Sequence, residues 1–283
     1  MSVRRSSPTV GRRRLGIDLR RLREQAGVTI ESVADQLECS SSKISRIETG
    51  HIGASPRDVR DMLAIYGIEG DLAGELLQIA RDARQKGWWH MYGTALTGAY
   101  VGLEAAASRI RGYEAQLVPG LLQTQDYATA VFRAARPDIT IELLQRRLDV
   151  RRIRQSLLTQ DDSLDLWVIL DEAVFHRLVG SKEVMSAQLV RLMEAAQAPN
   201  ITVQVLPFEV GAHAGMEGTF TILEYDAEAD PNVVFAENAT GGLFLEKDND
   251  LDRYQKIFSY LRETALPPDR SAEVIAARAK ELQ

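Results

Sequence analysis

Eight arginines against a single acid, Asp18, crowd the first 23 residues of this 283-residue chain. Guanidinium groups at that density suit polyanions, phosphate above all, because each offers a planar fork of donors that never loses its charge. The remainder of the chain has the opposite sign. Residues 1–86 hold 15 Lys/Arg and 12 Asp/Glu, a net +3, whereas the rest carries −9 of the overall −6. Such a split describes a polyanion-facing end joined to an end with another task, although a solvated basic tail has the same composition. Elsewhere, Glu172 and His176 stand four residues apart, on one face of a helix if helical, with Asp171 adjacent. Two such side chains fall short of the three or four ligands of a zinc site, and no phosphate loop, nucleophile elbow or Cys/His pairing accompanies them. Neither a catalytic residue, a metal nor a cofactor is therefore expected. His213, in the Gly211–Gly215 loop, and Glu237, near a strand end, are the candidates for a ligand or partner pocket, against the alternative of a plain connection.

The elements that must position these residues follow from periodicity. Between Arg12 and Lys86 the pattern predicts five short helices. Leu15, Leu19 and Leu22 share one helical face closed by Gly27, and Thr29, Ser40 and Pro56 stand at the starts of the next three. Asp71 to Lys86 supplies the fifth, with Leu72, Leu76, Ile79 and Ala83 along one side. Residues 1–11 read as a flexible basic arm, 12–87 as the helical domain, 88–100 as a linker and 101–283 as a second domain. In the second domain, helical patterns near 124–135, 139–159, 182–197 and 249–265 alternate with β-like runs. Those runs are Leu164–Leu170, Ile201–Val205, Phe220–Leu223, Asn232–Phe235 and Leu243–Leu245, the last two joined by a hairpin turn at Ala239–Gly242. The fold class is α+β overall: an all-α domain, then helices around a mostly antiparallel sheet. The lone Cys39 excludes an internal disulfide, and no apolar leader core or membrane-length run is present, so a cytoplasmic location without membrane contact is expected.

Residues 28–50, VTIESVADQLECSSSKISRIETG, combine a small Ala34 at a helix crossing with Ile44 and Ile47 turned inward and polar residues between them. A helix-turn-helix needs this arrangement, since its second helix buries one side and offers the other to a major groove. The segment resembles the Cro/repressor or XRE-type helix-turn-helix family, through Thr29, Val33-Ala34, Ser40 and the closing Ile44–Gly50. That resemblance implies binding of double-stranded DNA, with Ser41, Ser42 and Arg46 at base edges. Thr29, Ser40 and Lys43 would lie by the backbone, with Arg12, Arg13 and Arg14 as a phosphate clamp or minor-groove arm. Arg46 is the candidate for sequence discrimination, with a phosphate-only role as its alternative. One departure is visible: Glu38-Cys39 occupies a turn where the family places glycine.

The second domain resembles the regulatory domain of a large actinobacterial family of antitoxin-like (Scr1-type) regulators. Val118–Thr124 with Tyr127, Arg147–Arg154, Leu170–Glu172, Ala187–Leu189, Val205–Phe208, Gly211–His213 and Gly218–Phe220 carry the likeness. It implies a transcriptional regulator often partnered with a small, separately encoded protein; because a single helix reads few base pairs, a homodimer on an inverted-repeat operator is expected, with a small molecule bound near His213 as the alternative signal. Trp88, Trp89 and Tyr92 are expected to pack between the domains.

Overall fold

A computed structural model of the chain describes residues 7–85, 98–226, 230–238 and 241–282. The first domain has the five expected helices: α1 (Pro8–Gln25), α2 (Ile30–Gln36), α3 (Ser41–Glu48), α4 (Pro56–Ile65) and α5 (Asp71–Asp82). Thr29, Ser40 and Ser55 cap α2, α3 and α4 by accepting hydrogen bonds from backbone N–H groups three residues on. Leu15, Leu19, Val33, Ile44, Ile47, Val59 and Met62 close a common core. The start of α1 departs from expectation. Ser7 caps it and Pro8 occupies the first turn, so residues 8–11 are helical rather than part of a flexible arm.

The second domain contains a six-stranded sheet ordered β3-β2-β1-β4-β5-β6. Its elements run α6 (Gly98–Ala106), β1 (Arg109–Glu114), α7 (Gln125–Ala135), α8 (Ile141–Gln155), β2 (Asp165–Asp171), α9 (Ala173–His176), α10 (Lys182–Ala195) and β3 (Ile201–Leu206). Then follow β4 (Phe220–Glu224), β5 (Val233–Asn238), β6 (Gly241–Leu245), α11 (Asp248–Thr264) and α12 (Pro268–Glu281). The sheet is mixed: β1, β2 and β3 run parallel, while β4, β5 and β6 continue it antiparallel. Alternation sends Ile110, Leu166, Val168, Val203 and Leu223 into the larger core, with residues of α10 and α12. Tyr113, Ile169, Leu206, Phe220 and Ile222 face the other way, towards Phe258 and Leu261 of α11.

Four elements escape the sequence pattern. The first strand, Arg109–Glu114, carries two arginines and a glycine, with Ile110 and Tyr113 as its apolar residues; α6 begins inside the expected linker; the single-turn α9 lies outside the expected helical stretches; and α12 opens on the second residue of a Pro-Pro pair. Of the expected 239–242 turn, Gly241 and Gly242 belong to β6, while residues 239–240 and the Trp88, Trp89, Tyr92 group lie outside the described residues.

At the turn between α2 and α3, Glu38 itself adopts the left-handed conformation, with φ of 50°. The turn geometry is thus kept at the expense of backbone strain on a residue with a Cβ. Glu38→Gly relieves that strain, and the greater freedom of glycine in the unfolded chain offsets part of the gain. The expected result is a net stabilisation of about 0.5–1 kcal/mol in a denaturant melt; a loss of stability would show that Glu38 contributes more than it strains.

Candidate nucleic-acid interface

The second helix of the helix-turn-helix, α3, is built to be read from one side only. Ile44, Ile47 and Glu48 are buried, while Ser41, Ser42, Arg46 and Thr49 are exposed. Arg46 has no ion-pair partner among the described residues, so its guanidinium is free to make the bidentate contact that a guanine edge accepts. Ser41 and Ser42 flank it as small donor–acceptors.

Two features fix α3 against α1. A Cβ placed on Gly16 would lie 2.6 Å from the Ile47 carbonyl oxygen and 2.7 Å from that of Glu48, so the helices meet where only glycine fits. Arg23 and Glu48 then form a buried bidentate pair, Nε–Oε1 at 2.7 Å and Nη2–Oε2 at 2.9 Å, and Arg23 also donates to the Val28 carbonyl at 3.0 Å. The carboxylate of Glu48 pushes the Arg23 guanidinium pKa upward, chiefly through these hydrogen bonds. Helical periodicity and motif spacing do not reveal this pair. Its signal is an arginine on the apolar face of α1 and a glutamate directly after the inward Ile47.

Residues expected at the DNA backbone divide into two groups. Thr29 and Ser40 are exposed at the starts of α2 and α3, where helix N-termini favour phosphate, although each oxygen already caps its own helix. Lys43 donates to Asp58 of α4 at 2.9 Å, within the Ser55–Asp58 capping box, and Asp58 is held below the usual carboxylate range as a net result. The arginine triplet does not form an arm. Arg13 is buried and pairs with Glu246 at 2.9 Å, and Arg14 lies 3.9 Å from both Asp18 and Asp230. Arg12 is half-buried beside Gly53. The first turns of α1 are thereby engaged by the acidic second domain, in whose core Val10 is also buried.

The second-domain candidates also separate. Asp171 accepts from the Tyr113 hydroxyl at 3.0 Å and from the Ala173 amide at 2.9 Å, and His213 Nε2 lies 3.7 Å from the same carboxylate. Glu172 accepts from the Phe208 amide and lies 3.3 Å from His176. Glu237 helps to wall a hollow of about 220 Å³ with Gly215, Phe220, Leu243, Tyr254 and Ile257. Its pairing with Gly242, however, places its side chain on the sheet face of Glu114, opposite Tyr113 and His213. Burial, and then the charge of Glu237, pushes the Glu114 carboxyl up to about 8. His213 and Glu237 therefore do not converge on one pocket, and no group of three metal-ligating side chains occurs among the described residues.

A family model described as a helix-turn-helix domain matches residues 14–76, and one described as a domain of unknown function (DUF5753) matches residues 97–277. No curated protein and no solved structure matches the chain.

Removing one partner of a buried ion pair leaves the other charged and unpaired. Arg23→Leu is accordingly expected to cost about 3–5 kcal/mol in urea unfolding. The double change Arg23→Leu/Glu48→Leu should recover much of that loss, and a cost below about 1 kcal/mol for the single change would refute the pairing.

Proposed function

We infer the function from one premise: the chain belongs to the family defined by the domain of unknown function DUF5753, which here follows a helix-turn-helix domain. On that footing the protein is a sequence-specific transcriptional regulator. Its first domain reads double-stranded DNA with α3, and its second domain dimerises and receives the signal. The observation that carries this reading is the division of α3, with Ser41, Ser42 and an unpaired Arg46 outward and Ile44, Ile47 and the Glu48–Arg23 pair inward. A single recognition helix spans few base pairs, so two copies on an inverted repeat supply the specificity of a regulator.

The regulatory half of the proposal is supported by α1. One helix holds the recognition helix through Gly16 and Arg23 and is rooted in the second domain through Val10 and Arg13. Arg13 touches both sides. It pairs with Glu246 just after β6, and a Cβ on Gly50, at the end of the α3 turn, would lie 2.9 Å from its Cγ. A signal that binds the second domain more tightly in one arrangement shifts the reading head with it. Likeness to the antitoxin-like regulators makes that signal a small, separately encoded protein. The 220 Å³ hollow beside β6 supports a small molecule as the second reading. Co-purification from the native host and calorimetric titration with metabolites separate the two. Local hydrogen bonds already occupy Glu172 and engage His176, which favours a binding role over catalysis.

Selection of bound DNA from a random pool tests the main claim. The unaltered chain is expected to return an inverted repeat, and Arg46→Ala to lose preference at one guanine in each half-site, by about 1–3 kcal/mol or roughly 5–150-fold. A pool without a shared sequence, or one unchanged by Arg46→Ala, would remove α3 from the role of reader.

A further inference from the structure

Along α8, Arg147, Arg151 and Arg154 are four and three residues apart, so they share one helix face. Arg154 is fully matched: it meets the buried carboxylate of Glu104 in two contacts, at 2.5 and 2.8 Å. The other two are not. Both guanidinium groups rest on the Phe132 ring of α7, with Cζ 5.4 Å (Arg147) and 4.6 Å (Arg151) from its centroid. Neither has a carboxylate within ion-pair distance among the described residues. Among the described residues the Nε–H of each is buried without an acceptor, and the hydrogen bond that Arg151 donates goes to the neutral amide oxygen of Gln123.

Half-buried cations side by side with unmet donors are unfavourable. The ring face returns part of the cost, on the order of 1 kcal/mol, but supplies no hydrogen-bond acceptor. Burial, followed by the neighbouring Arg154 charge, brings Arg151 down to about 9, and burial and Arg136 lower Arg147. Glu104 and Glu237 act on Arg151 in the opposite sense, Glu104 while already engaged by Arg154 and Glu237 through its charge alone. On the Arg154 side of Arg151 the chain passes at Gly120, where a Cβ would stand 3.5 Å from the Arg151 Cζ and 3.5 Å from the Arg154 Nη2. Gln155 donates to the Gly120 and Gln123 carbonyls, so the wall of the site is fixed to the helix that carries the arginines.

We propose that Arg147 and Arg151 form an oxyanion site in the second domain, which takes the carboxylate or phosphate group of an effector. Such a group supplies the acceptors that both Nε–H groups lack and balances the adjacent like charges. The site does not depend on the DNA-reading proposal, and its test leaves α3 untouched.

Thermal unfolding of the full chain in sodium phosphate, sodium acetate and sodium chloride at equal ionic strength reads the site directly. Two substituted chains serve as references: Arg147→Gln removes one fork, and Arg151→Lys keeps the charge while losing the fork. The general salting effect of phosphate is common to all three chains, so the difference between them is the signal. Phosphate or acetate at ten times its Kd is expected to raise the Tm of the unaltered chain by roughly 3–6 °C more than that of either substituted chain. An increment from acetate alone identifies a carboxylate, and one from phosphate alone a phosphoryl group. An increment that persists in both substituted chains, or an unaltered chain that responds no more than they do, overturns the proposal.

Discussion

The bidentate pair between Arg23 and Glu48 holds the end of α3 against α1, and the orientation of everything α3 presents depends on it. Two desolvated charges are a poor source of net stability, because the cost of removing them from water rivals their attraction. They supply geometry instead. The guanidinium fork accepts one carboxylate orientation, and the Val28 carbonyl takes a further donor of Arg23, so α1, α3 and the loop before α2 are tied at one point. Gly16 completes the constraint, since a side chain there would collide with the carbonyls of Ile47 and Glu48. Ile44 and Ile47 then fill the core between the helices, which leaves Ser41, Ser42 and Arg46 outward.

The same helix also answers the charge asymmetry of the chain. A basic N-terminal segment next to a domain of net −9 would be expected to find its acids, and Arg13 and Arg14 meet Glu246 and Asp230. Arg13 is buried in doing so, which makes the contact less sensitive to salt than an exposed pair. Among the arginines that composition alone assigns to phosphate, Arg13 and Arg14 at the start of α1 are thus engaged by the second domain instead.

Much of the first domain is legible in the sequence because its helices are amphipathic and carry their stop and start signals in the side chains: Gly27, Thr29, Ser40 and Pro56 all stand where the structure uses them. The start of α1 is easily misread, because a run of arginines resembles a tail unless the Ser7-Pro8 cap is given weight. In the second domain β1 escapes notice, since Arg109 and Arg111 pair with Asp165 and Glu224 and a strand stabilised across the sheet by ion pairs lacks an apolar alternation. The grouping of His213 with Glu237 fails for a different reason. Which face a strand residue takes depends on register, and register is a long-range property that spacing does not record. Likewise, Arg23 and Glu48 are 25 residues apart, and only the close α1–α3 packing brings them together.

In the proposed reading Arg46, outward and without an ion-pair partner among the described residues, lies in a major groove. Methylation interference on DNA bound by the full chain tests that placement most directly, because the guanine N7 atom lies in the major groove. N7 methylation is expected to block binding at guanines in two half-sites about one helical turn, roughly 34–36 Å, apart. Binding indifferent to N7 methylation, with only backbone phosphates protected, would contradict it.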